Sequence, residues 1–287
     1  MPNPTIRGIE LKIQRAEFHY RSLETQLRNF QDLYAKVFVP QVVNNGYKHL
    51  YWAHDPPALD PRWSAIIGDC VHNLRSALDH LACQLVIAHG GDPNRATNFP
   101  ILDKPPFRPA CSQYPRWTHL PRRHGRPEPL RVRGGIDPAA LQIVESVQPY
   151  KGTDTGHMLS LLGNLDNLDK HRDLTVVAMA VRGAKTHADY GPFLSTHGGF
   201  LSVTVPLDTV GALTTTGPIR HDEVAAFMTY PQPQVDPDPN LELLSKVVFA
   251  KGSVAATFRV LPLLASFIGT VRDGLLPQFC PFVPPGS

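Results

Sequence analysis

Residues 64–89 read S-A-I-I-G-D-C-V-H-N-L-R-S-A-L-D-H-L-A-C-Q-L-V-I-A-H and stop at Gly90-Gly91. Ile67, Val71, Leu74, Leu78, Leu81 and Leu85 recur at alternating steps of four and three, the seam of an amphipathic helix. On a wheel of about 100° per residue, Asn73, Ser76, His80 and Cys83 fall within about 40° of Asp69. His72 and Asp79 lie about 60° to 80° to one side, and Arg75 about 120° round. The helix thus has one apolar face and one broad polar face, the latter rich in groups that bind anions or move protons.

Working outward, residues 5–38 carry the same seam at Ile9, Ile13, Ala16, Tyr20, Leu23, Leu27, Phe30, Tyr34 and Val37. Lys12, Arg15, Glu17, Arg21, Glu24, Arg28 and Asp32 occupy the other faces. Two such seams separated by Pro56-Pro57 and Pro61 predict helices side by side, in an antiparallel bundle or a homodimer through helical surfaces. Further helices are expected over 138–147 and 155–170. After Arg172 the character changes. Residues 174–181, 200–205, 224–229 and 244–250 are short and rich in β-branched residues, the pattern of a small antiparallel sheet. Residues 258–279 return to helical spacing. The fold class expected is α+β, with a helical bundle over 1–172, a β-rich region over 173–257 inserted before the C-terminal helix, and residues 258–287 rejoining the bundle.

Residues 103–133 belong to neither part. Seven prolines interrupt them, and one lysine and seven arginines stand against Asp103 and Glu128, a net +6. The whole chain is only +3, so the basic charge is local. Phe107, Tyr114 and Trp117 interleave with the arginines, a composition suited to a phosphate backbone with bases stacked on aromatic faces. Arg116, Trp117, Arg122, Arg123 and Arg126 are the nucleic-acid-binding candidates, and the alternative is an arginine-rich surface loop.

The first residues, M-P-N-P-T-I-R-G-I-E, lack the apolar core of a signal peptide. No uncharged apolar run approaches the ~20 residues of a membrane span. Cys70, Cys83, Cys111 and Cys280 show no metal-ligand spacing. A cytoplasmic setting is expected, with no membrane and no cofactor.

The spacing Arg75-x4-His80 resembles the R-x4-6-H motif of the HEPN superfamily, helical domains that include many metal-independent ribonucleases. Independently, D-x-x-H-N-L-R-S-A-L-D-H together with N-L-D-K-H-R at 167–172 resembles a family of bacterial, largely actinobacterial, proteins of uncharacterised activity. The first resemblance implies a dimeric endoribonuclease or RNA-binding relative, with Arg75 and His80 catalytic. His80 would act as base or acid on RNA, and Arg75 would hold the phosphate bidentately. Asp69, His72, Asn73 and Asp79 would support them. Asp169, Lys170 and His171 would join if the end of the 155–170 helix packs beside the 64–89 helix.

Two other classes fit the same residues. A satisfied polar network would make the chain a non-catalytic binding or assembly protein. Asp69, His72 and Asp79 with Asp169 or His171 would make a metal-dependent hydrolase of a small substrate. No H-E-x-x-H, G-x-S-x-G, P-loop or G-x-G-x-x-G occurs, and no resident metal is expected.

Overall fold

The computed structural model describes residues 4–108, 126–127, 132–170, 176–181, 194–197, 200–203, 223–229, 232–236, 244–250, 253–256 and 258–283. In chain order the elements are α1 (Arg7–Tyr34), β1 (Phe38–Val43), β2 (Lys48–Ala53), α2 (Arg62–Ala88), β3 (Phe107–Arg108), β4 (Arg126–Pro127), α3 (Pro138–Ser146) and α4 (Asp154–Asp169). They continue with β5 (Val176–Val181), β6 (Leu194–His197), β7 (Phe200–Val203), β8 (Glu223–Thr229), β9 (Leu244–Phe249), α5 (Val260–Gly269), a π-helical turn (Thr270–Leu275) and α6 (Leu276–Phe279). Among the described residues the named strands pair antiparallel. The class is α+β.

The chain falls into two compact units. The first takes Met1–Arg21, Ala65–Leu174 and Leu261–Ser287; the second takes Ser22–Ser64 and Thr175–Val260. In the first unit α1 and α2 run antiparallel. The Thr5 N–H donates to Gln84 Oε1 at 2.8 Å, Gly8 faces His80, and His19 faces Asp69. Numbers rise along one helix as they fall along the other. Ile9, Ile13 and Ala16 on α1, and Ile67, Val71, Leu74, Leu78, Leu81 and Leu85 on α2, are buried. Apolar residues at steps of three and four form one continuous stripe, and burying it is what stabilises the pair. Both following helices have side-chain caps: Asp137 accepts from Ala139 N–H ahead of Pro138, and Thr153 accepts from Gly156 N–H. Leu264, Phe267, Val271 and Leu275 of the final helical stretch are buried.

The segment Val260–Phe279 is the one helical stretch among the described residues long and apolar enough to cross a membrane. It carries Arg272, whose guanidinium pairs with Glu17 on α1 and with Asp273.

The second unit corrects the expected helix over 5–38. The helix ends at Tyr34, a 3-10 turn covers Ala35–Val37, and the chain enters β1. F-V-P-Q-V-V is β-branched, and Pro40, lacking an N–H, suits an edge strand. β1 is that edge, in a sheet of order β1-β2-β8. Asn44, Asn45 and Gly46 turn the hairpin with φ of 52°, 50° and 88°, a left-handed run that Asn and Gly tolerate. Along β2 burial alternates, with His49, Tyr51 and Ala53 inward. On the α1 residues of this unit, Gln26 accepts from Trp63 Nε1 at 3.1 Å, and the Phe30 and Trp63 rings meet edge to face at 5.0 Å.

Within the basic 103–133 segment, Arg126 lies in β4, paired with β3 in the register Arg108↔Arg126. Arg116, Trp117, Arg122 and Arg123 lie outside the described residues, as does His171.

Candidate functional site

α2 presents its polar residues to two different neighbours. One side lies against α1. Asn73 Nδ2 donates to the Asp69 carbonyl at 2.7 Å, and Asp69 Oδ2 stands 3.9 Å from His19 Nδ1. His80 rests against Gly8, where an added Cβ would meet Nδ1 at 3.3 Å. The glycine gives the imidazole room on α1. Asp69 and His80 are both exposed.

The other side faces the backbone of Phe99 and the end of α4. Arg75 Nη2 bonds Asp79 Oδ1 at 2.9 Å and donates to the Phe99 carbonyl at 2.8 Å. The Phe99 N–H donates to the same Asp79 oxygen at 3.0 Å. Arg75 and Asp79 therefore satisfy both backbone groups of one residue, whose ring is fully buried edge-on to Phe279 at 6.5 Å. Burial pushes the Asp79 carboxyl above its ordinary value. Arg75, the Phe99 N–H and Lys170 pull it back, while Asp166 pushes it further up. Arg75 Nη1 is buried with no hydrogen-bond partner among the described residues.

One turn N-terminal of Arg75, His72 Nδ1 bonds Asp166 Oδ1 at 3.0 Å. Lys170 Nζ bonds the second oxygen, Oδ2, at 2.5 Å. Asp166 is 2% exposed, whereas the side chains of His72 and Lys170 are 55% and 47% exposed. A buried carboxylate thus anchors two side chains that project to solvent. Asp169 lies one turn on, its carboxylate against Gly68 of α2. The end of α4 does sit beside α2, bringing Lys170 and Asp169 to the face of His72, Arg75 and Asp79.

Two sequence expectations change here, and one residue is added. Arg75 and His80 do not converge: five residues on a regular helix separate them by about 140°, and each turns to its own neighbour. Asp69, His72 and Asp79 do not come together as a metal set, because Asp69 faces His19, Asp79 faces Phe99 and His72 faces Asp166. Among the described residues no three His, Cys, Asp or Glu side chains form a metal-binding group. Asp166 was missed altogether, although the signal was present: it follows Leu165 and lies four residues after Leu162 on the buried face of α4. A carboxylate there needs partners.

Away from this face, an open cleft of about 430 Å³ lies at the start of α4, lined by Asp103, Thr153, Asp154, His157 and Ser160 among others. Ser160 Oγ donates to Asp103 Oδ1 at 2.7 Å. No protein-family model, curated protein or solved structure matches the chain.

Proposed function

We propose that the chain is a HEPN-like helical protein that binds RNA and cleaves it without a metal, through the polar face of α2. The observation that carries this reading is the group formed by His72, Asp166 and Lys170. An imidazole and an ammonium are held at the surface on one buried carboxylate, beside Arg75 and Asp79. Phosphodiester transesterification needs a proton-transfer group and cationic stabilisation of the phosphorane, and this face offers both. The net +6 of residues 103–133 supports a polyanionic partner, with Arg116, Trp117, Arg122, Arg123 and Arg126 as the RNA-contacting arm. A homodimer through helical surfaces is part of the reading, and Leu11 and Phe18, 55% and 58% exposed on α1, support it. The setting proposed is cytoplasmic.

The test is incubation of the purified full chain with labelled single-stranded RNA in excess EDTA. Binding is followed by fluorescence anisotropy over a salt series and cleavage by gel. Binding that weakens with salt, with 2′,3′-cyclic phosphate ends on the products, is expected. Absence of both binding and cleavage at low salt overturns the proposal.

A second reading, a non-catalytic binding or assembly protein, is favoured by the grip of Arg75 and Asp79 on Phe99. That pair satisfies backbone rather than facing an open site. On this reading RNA or another partner is bound and never turned over.

A further inference from the structure

Resting on the ribonuclease reading above, we propose that His72 and Lys170 are the catalytic residues and Asp166 is the positioning residue behind them, in place of the Arg75–His80 pair. Arg75 is committed to Asp79 and the Phe99 carbonyl. His80 lies on the α1 side, against Gly8. His72 has the geometry of an oriented base. A carboxylate only accepts, so the hydrogen in its bond to Asp166 sits on Nδ1. Nε2, on the opposite edge of the ring, then carries the free lone pair. It makes no hydrogen bond among the described residues, and the side chain is 55% exposed. A buried carboxylate that fixes tautomer and ring orientation is the arrangement by which an imidazole becomes an effective general base.

Lys170 completes the group. Its ammonium has three hydrogens, of which the bond to Asp166 Oδ2 uses one. The remaining two have no acceptor among the described residues and can hold a non-bridging phosphate oxygen. Because both side chains are anchored on the two oxygens of one carboxylate, imidazole and ammonium are presented together on a fixed base.

The reaction follows from these positions. His72 Nε2 takes the 2′-hydroxyl proton as O2′ bonds to phosphorus. The P–O5′ bond breaks, and O5′ takes the proton from His72. The products are a 2′,3′-cyclic phosphate and a 5′-hydroxyl, with His72 returned to its starting state and Lys170 taking no part in the proton transfer. No oxidant, metal or further reactant enters the balance.

The experiment compares wild-type protein with His72→Ala, Lys170→Ala, Asp166→Asn, His80→Ala and Arg75→Ala, taking His89→Ala, exposed just past the end of α2, as control. Each is assayed for single-turnover cleavage at saturating RNA in EDTA, for RNA binding, for melting temperature, and for the pH–rate profile. His72→Ala is expected to lose about 10²-fold or more in rate while RNA affinity stays within about twofold, and added imidazole should restore part of the rate. Asp166→Asn should lower the rate and displace the pH–rate profile, a change that loss of folding alone does not produce. Should that variant fail to fold, imidazole rescue of His72→Ala still decides the matter. Retention of wild-type rate in His72→Ala, with loss in His80→Ala or Arg75→Ala, overturns this assignment and leaves the ribonuclease reading standing. A wild-type protein that binds RNA and never cleaves it overturns both catalytic statements.

Discussion

Gly68 of α2 and Asp169 at the end of α4 are in such close contact that a Cβ on Gly68 would lie well inside 3.0 Å of the Asp169 carboxylate. The missing side chain leaves the space that the Asp169 carboxylate occupies against α2. Gly68→Ala is therefore expected to destabilise the protein by about 1–3 kcal/mol through overpacking. Glycine inside a helix ordinarily costs about 0.5–1 kcal/mol relative to alanine. In an Asp169→Ala background the same substitution should become stabilising by about that amount. A urea double-mutant cycle reads the reversal of sign. Gly68→Ala that is neutral or stabilising in the wild-type background contradicts the contact.

Arg75 and Asp79 form the second such relationship, through Phe99. Asp79→Ala leaves both the Phe99 N–H and the Arg75 guanidinium short of an acceptor, and Arg75→Ala leaves the Phe99 carbonyl and Asp79 short of a donor. Each is expected to cost about 1–3 kcal/mol. The double variant should cost less than the sum, since either change alone already breaks the shared arrangement. Hydrogen exchange should show residues 97–102 losing protection in both single variants. Additive losses with exchange unchanged would mean the two side chains act independently.

How legible this arrangement was in the sequence varies by element. The four-three seams of α1 and α2 could be read because burial of a continuous stripe leaves a periodic trace. The runs that became β5, β7, β8 and β9 could be read from their short length and their richness in β-branched residues. Tyr34 and Val37 continue the spacing of α1, so the end of that helix at Tyr34 leaves no break in the pattern, and β1 and β2 lie beyond it over 38–53 with no expectation attached to them. At the candidate site the residue types were visible and their pairing was not. Whether Arg75 meets His80 or Phe99 depends on which element lies against each side of α2. That is a long-range fact with no local signature. Asp166 was legible in principle, as a charge among buried leucines.

Cysteine chemistry offers a check on burial that does not depend on function. Cys70 is fully buried on α2. Burial, with the neighbouring Asp69 acting in the same direction, pushes its thiol up to about 12. Cys280 is exposed. Iodoacetamide at pH 8 followed by peptide mass mapping should label Cys280 within minutes and leave Cys70 unmodified until denaturant is added. Labelling of Cys70 in the native protein at a rate near that of Cys280 would show that α2 opens far more readily than its packing implies.

His19 gives the pH dependence its sign. The residue is 8% exposed on the side of α1 that faces α2. Burial lowers its imidazole below the ordinary value, Asp69 opposes that shift, and Arg15 adds to it. In the unfolded chain the group titrates near 6.5. Above that pH neither state is protonated and the full stability is present. As pH falls through 6.5 and on through the lower folded value, the unfolded state takes up the proton first, and stability is lost. The melting temperature should accordingly fall between about pH 7.5 and pH 5, and part of that fall should vanish in His19→Gln, which cannot titrate. Identical pH dependence in the two proteins would place the acid sensitivity on other groups. Asp79 contributes in the opposite sense. Its carboxyl is raised in the folded state, so its contribution is fully present below about 3.9 and is lost as pH rises through the folded value. Asp79 is present in both proteins, so its contribution cancels in the His19→Gln comparison and the difference reads the imidazole alone.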